Sequence, residues 1–114
     1  MELKYIIKSI HELIQSESFR KRTAMYIGEP TISNLESFIL GYYFGESIHK
    51  FDLTLMGTHF TTFNDWVMKY YTWRESTAGW KNIILKEVGN NETEALQMFF
   101  ILYDKFTAEN LEAV

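Results

Sequence analysis

The sequence predicts an all-α fold: a single compact domain over residues 1–114, built of about five helices with one long loop at residues 19–32. Three observations lead there. Apolar residues recur at spacings of three and four along most of the chain, capping signals bound those stretches, and almost no segment alternates apolar with polar residues as a half-buried strand does.

The first helix is expected from residue 3, because Leu3, Ile6, Ile7, Ile10, Leu13 and Ile14 fall on one stripe. The polar block Gln15 to Ser18 ends it. Residues 19–32 then hold the basic triplet Arg20-Lys21-Arg22, Gly28 and the only proline, Pro30, which is loop composition. Ser33-Asn34-Leu35-Glu36 reads as a capping box, the serine oxygen accepting from a backbone N–H three residues on while Glu36 reaches back to the serine's own N–H. The helix it opens, Leu35 to Lys50, places Leu35, Phe38, Ile39, Tyr42 and Ile48 on or near one face. Gly41 and Gly45 each cost about 1 kcal/mol relative to alanine inside a helix. Either a close helix crossing or a kinked helix would account for them.

Residues 51–60, broken by Gly57, stay open between a loop and one short strand. Thr61 or Thr62 caps a third helix through Phe63, Trp66, Val67, Tyr70 and Tyr71, which Trp73 to Ser76 breaks. Ser76 caps a fourth holding Trp80, Ile83, Ile84 and Val88, and Gly89 ends it where a left-handed residue is wanted. Asn91 with Glu94 opens a fifth through Ala95, Leu96, Phe99, Phe100, Tyr103 and Phe106, and Thr107 is expected to cap a last turn.

Composition narrows the function classes. Aromatic residues make up 17% of the chain and charged residues 23%, the profile of a folded protein. Nine Phe, seven Tyr and three Trp exceed what a small core hides, so some rings are expected at the surface, where Tyr and Trp favour binding interfaces. A net charge of −4 argues against a nucleic-acid binder that works by counterion release, and steers the chain toward basic partners. There is no cysteine, hence no disulfide, thiol nucleophile or thiolate metal site. No stretch approaches the roughly 18 uninterrupted apolar residues of a membrane span, and the expected location is cytoplasmic.

Catalytic motifs are few. Residues 20–29, RKRTAMYIGE, resemble a segment near the start of gyrase-type ATPase domains. That resemblance requires an Asp-Asn pair on a following helix and an Asp-x-Gly-x-Gly loop; the chain has neither, and Thr23 stands where the motif has proline. The stretch is therefore expected to be architectural, with Met25, Tyr26 and Ile27 packed on the core, Gly28 turning the chain and the basic triplet solvated. His11-Glu12-Leu13-Ile14-Gln15 begins like a zinc-protease helix but has Gln where the second histidine is required, leaving His11 as a surface histidine. No Gly-x-Ser-x-Gly elbow occurs. Glu92 and Glu94 suit a helix N-terminus. No catalytic residue, cofactor or metal is expected.

What remains is FNDWVMKYYTWRES, where Asp65, Trp66, Tyr70, Tyr71, Trp73 and Glu75 fall within eleven residues. Either Trp66 and Tyr70 are core and the other rings edge it, or the segment is an interface of rigid aromatic anchors flanked by carboxylates. Arg-x-x-Met-Tyr-Ile-Gly, then Leu35, Phe38, Ile39, Gly41 and Tyr42 on one helix, then Trp73 to Trp80 resemble, in that order, small bacterial immunity proteins of toxin systems, including contact-dependent growth inhibition. The resemblance covers about residues 20–106. It implies a non-enzymatic inhibitor that covers the basic active site of a cognate toxin, in some members a ribonuclease A-like nuclease domain, in a one-to-one complex. Charge and expected loop placement nominate Glu29, Asp52, Asp65, Trp73 and Glu75 as partner-binding residues. The competing expectation is a small helical subunit or homo-oligomer whose surplus rings bury a self-interface.

Overall fold

Helix follows helix along the chain, and among the described residues no strand occurs. The computed structural model describes residues 10–48, 53–73 and 79–112. The helices are α1 (Ile10–Gln15), α2 (Glu17–Lys21), α3 (Thr23–Ile27), α4 (Ile32–Ile48), α5 (Leu53–Tyr70), α6 (Gly79–Glu87) and α7 (Glu92–Glu112). The expected start of the first helix at residue 3 and the expected Ser76 cap lie outside the described residues.

The predicted loop at residues 19–32 is mostly two short helices. Ser16 caps α2, its hydroxyl oxygen accepting from the Phe19 N–H at 3.1 Å, and Arg20 and Lys21 sit in the last turn where they complement the helix dipole. Helices this short show too little periodicity to be read from sequence. On α3, Thr23 is buried and Ile27, four residues on, packs against the core. Met25, two residues from Thr23, is thereby turned outward and is 78% exposed, contrary to its expected packing. Tyr26 packs in part as expected, 40% exposed with its ring 5.1 Å from that of the buried Phe19. Gly28 turns the chain as expected, at φ 84°.

The basic triplet is not uniformly solvated. Arg20 forms a bidentate pair with Asp104, both bonds 2.7 Å, donates from Nε to the Ile14 carbonyl at 2.8 Å, and lies 4.9 Å over the Phe100 ring. It fastens α2 to α7. Lys21 pairs with Glu17 one turn earlier.

Ser33 is not the cap of α4. The helix starts at Ile32, and Thr31 Oγ1 accepts from the Asn34 N–H at 3.1 Å, two residues ahead of the expected cap. Ser33, now inside the first turn, gives its N–H to Glu92 Oε1 at 3.0 Å and its hydroxyl to Glu92 Oε2 at 2.7 Å. Glu36 pairs with Lys81 at 3.7 Å instead of reaching back. Among the described residues Gly41 and Gly45 mark no close crossing: α4 runs through both, and a Cβ added at either meets nothing within 4 Å.

Residues 53–60, open between loop and strand, belong to α5, which begins well before Thr61. A single Gly57 costs about 1 kcal/mol, and extending an existing helix across it is cheaper than nucleating a new one. Thr107 opens no new turn, because α7 continues to Glu112; its buried hydroxyl donates to the Asp104 carbonyl at 3.1 Å and accepts from Gln15 Nε2 at 3.2 Å. Asn91 does cap α7, Oδ1 accepting from the Glu94 N–H at 2.9 Å.

The buried faces meet in one aromatic cluster. Phe63, fully buried, has Phe106 at 5.1 Å, Tyr103 at 5.5 Å, Phe99 at 5.6 Å and Trp80 at 5.8 Å between ring centroids. Removing such a ring costs about 3–5 kcal/mol. Since Phe60, Phe63 and Val67 form the inward stripe of α5, Trp66 and Tyr70 fall at its margin, over the seam with α7.

Candidate aromatic and acidic interface

The seam between α5 and α7 is where the surplus rings emerge. Trp66 is half-buried, stacked 6.3 Å from Phe63 on one side and 5.3 Å from Tyr70 on the other, with interplanar angles of 9° and 19°. Spacing of four on one helix face produces the Trp66–Tyr70 stack. Tyr70 is 46% exposed and meets Tyr71 edge-on at 5.0 Å. Phe106 of α7 packs edge-on against Trp66 at 6.0 Å, and this contact sets Glu109, one turn further along α7, beside the indole. Trp66 Nε1–H donates to Glu109 Oε1 at 3.0 Å. Trp66, Lys69, Tyr70 and Glu109 line an open cleft of about 350 Å³.

Beyond the end of α5 the chain turns sharply. The Trp73 N–H donates to the Met68 carbonyl at 2.8 Å and the Thr72 N–H to the Lys69 carbonyl at 3.1 Å, with Thr72 left-handed at φ 58°. Trp73 is half-buried, its Nε1–H donates to Glu87 Oε2 at 2.8 Å, and Lys86 Nζ lies 5.9 Å from its ring. Half-burial, then the neighbouring Tyr70 and Glu87, push the Tyr71 phenol above its ordinary value, so it stays protonated at neutral pH.

Of the nominated residues, Asp65 is exposed on α5 next to Trp66, and Trp73 is on the same aromatic segment but pinned to α6. Glu29 is exposed in the turn between α3 and α4, which pack on each other, α3 also packing on α2. Asp52 and Glu75 lie outside the described residues. Sequence reasoning missed Glu109 and Lys69. Lys69 was readable as the residue four after Asp65; Glu109 was not, because its approach to Trp66 depends on how α7 packs.

His11 is not a plain surface histidine. It is half-buried with Nδ1 2.7 Å from the Tyr103 hydroxyl, to which it is hydrogen-bonded. Burial lowers its pKa, and the Glu12 carboxylate offsets this only in part. Burial also raises the Tyr103 phenol far above its ordinary value, keeping it a neutral partner. Among the described residues no group of three or more His, Asp and Glu side chains is placed to hold a metal ion, and no helix is long and apolar enough to cross a membrane.

No family model matches the chain, and no curated protein or solved structure is significantly similar to it. The reading of the site therefore rests on its chemistry: two stacked ring faces at the surface, a carboxylate with one oxygen held by an indole, and a rim of charged side chains.

Proposed function

We propose that the chain is an immunity protein: a non-enzymatic, cytoplasmic inhibitor that binds a cognate toxin domain, an RNA-cleaving nuclease with a basic active site, in a one-to-one complex. The observation that carries this is the part-exposed Trp66–Tyr70 stack with Glu109 beside it and Asp65 on the same helix. Rigid aromatic anchors supply contact area at small entropic cost, and flanking carboxylates suit a cationic cleft while discouraging anionic partners. The net charge of −4 acts in the same direction at long range. The order of segments that resembles immunity proteins supports the same reading, and its Trp73 to Trp80 portion directly follows α5.

Co-expression with the product of an adjacent nuclease toxin gene, which the proposal requires to exist, is the test. Growth should be rescued, and the two chains should co-purify at equal stoichiometry. Full toxicity in the presence of the folded protein would overturn the proposal.

A second reading, a homo-oligomer, is favoured by one separate observation: Leu40 and Phe44, a turn apart on α4, are 60% and 70% exposed. Light scattering on the purified chain separates the two, since a stable dimer that survives dilution supports self-association.

A further inference from the structure

We infer that the outward face of α4 is a self-interface: two copies of the chain pair through it about a two-fold axis, with Leu40 and Phe44 of each seated over Gly41 and Gly45 of the other. This deepens the self-association reading above and rests on it. It uses no residue of the α5–α7 seam, so the immunity reading stands or falls separately.

α4 is apolar on both sides. Ile32, Leu35 and Ile39 are buried in the core, while Leu40 and Phe44 are largely exposed on the far side. A helix that is apolar all round is one that a folded protein covers all round. Ser37 and Gly41, both exposed, complete the outward face.

Charge selects the occupant. From Ser33 to Gly45 the only charged side chain is Glu36, and Lys81 already pairs with it at 3.7 Å. A basic toxin cleft would bring cations onto a face with no carboxylate to meet them. An anionic membrane surface attracts Lys and Arg, and this stretch has neither. A second copy presents a face that matches, neutral against neutral, so that two chains of net charge −4 meet without α4 setting like charge against like.

Shape agrees. One residue turns a helix by about 100°, so Leu40 and Phe44 follow one edge of the face and Gly41 and Gly45 the other. A two-fold axis running along the helices exchanges the edges. Each copy's two large side chains then fall on the other's two glycines, where a Cβ would meet nothing within 4 Å among the described residues and the backbones have room to approach.

Area suffices for a small but specific dimer. Leu40 and Phe44 leave roughly 250 Å² of apolar surface in water on each copy. Pairing removes roughly 500 Å² through these two side chains alone, about half of the roughly 1,000 Å² that a specific interface buries, and the rest of the face supplies the remainder.

The experiment is sedimentation velocity on the full chain from about 1 μM to about 500 μM. Wild type should pass from monomer to dimer. Leu40→Glu sets a carboxylate against its own copy and should weaken the dimer at least about tenfold. Gly41→Leu is the sharper variant. Leucine favours the helix over glycine and adds apolar surface without meeting a described atom at its Cβ, so a merely sticky face would pair more tightly. In a packed interface the same leucine fills the seat, and the dimer should weaken at least about tenfold. Leu40→Ala combined with Gly41→Leu should recover part of that loss, because volume moves from the side chain to its seat. Unchanged circular dichroism verifies folding of each variant. A wild type that stays monomeric throughout overturns this interface and the self-association reading together. A dimer unaltered by Leu40→Glu, one strengthened by Gly41→Leu, or a double variant with no recovery overturns the α4 interface and leaves self-association through another face. Growth rescue lost in Leu40→Glu while wild type is monomeric would overturn it in favour of the toxin as occupant.

Discussion

Two residues carry conformational or ionisation strain that a measurement can read. The unfolded chain titrates His11 near the ordinary histidine value of about 6.5, whereas burial against Tyr103 lowers that value in the folded state. Between the two values the unfolded chain binds more protons, so stability falls as pH drops through the window just below 6.5 and is fully present above it. Urea unfolding between neutral and mildly acidic pH should show this slope, and His11→Asn should flatten it; an identical slope in the variant would assign the effect to other groups. Thr72 is strained in its backbone: a β-branched residue at φ 58° sits where α6 has Gly89 at φ 72° in the same terminating turn. Its hydroxyl donates to the Tyr71 carbonyl at 2.6 Å, a partial compensation. Thr72→Gly should raise stability by about 0.5–1 kcal/mol, the relief of strain exceeding the added flexibility of the unfolded chain. A lower midpoint in denaturant would show that the hydroxyl outweighs the strain.

At the scale of helices, ends matter more than lengths. Glu92 opens α7 and also satisfies one orphan backbone N–H in the first turn of α4, that of Ser33, together with the Ser33 hydroxyl. Glu92→Ala strands both donors and removes an anion from two helix N-termini, so it should cost about 1–2 kcal/mol, more than Ser33→Ala, which removes only the hydroxyl. Equal losses would place the effect in the hydroxyl alone. This contact also shows what sequence could and could not convey. The all-α class, the Asn91 cap and the Gly89 stop are local, written in spacing and in residues that suit one backbone angle, and they are present as read. The capping box at Ser33 failed because a carboxylate 59 residues away outcompeted Glu36 for the serine. That the aromatic segment leaves rings at the surface was legible because four rings on one short stretch exceed one buried face, but the Glu109 contact depends on the packing of Phe106 on Trp66. Tertiary partners of that kind leave no trace in helical periodicity.

In the proposed complex, shape and charge would make separable contributions. The rings of the seam and their carboxylate would act only at contact, and set how slowly the complex dissociates. The net charge of −4 would act over distance, and set how fast a basic partner arrives. Salt separates the two, because the screening length shrinks from roughly 10 Å at 0.1 M to roughly 3 Å at 1 M. Between about 50 mM and about 500 mM salt, association with the toxin should slow about tenfold while dissociation changes far less. Tyr70→Ala should show the opposite pattern, speeding dissociation with little effect on association, because it deletes a neutral ring at the contact. Rapid-mixing kinetics on wild type and variant read both rates directly. An association rate indifferent to salt would mean that the acidic surface does not steer the partner, and the complex would then depend on the aromatic seam alone.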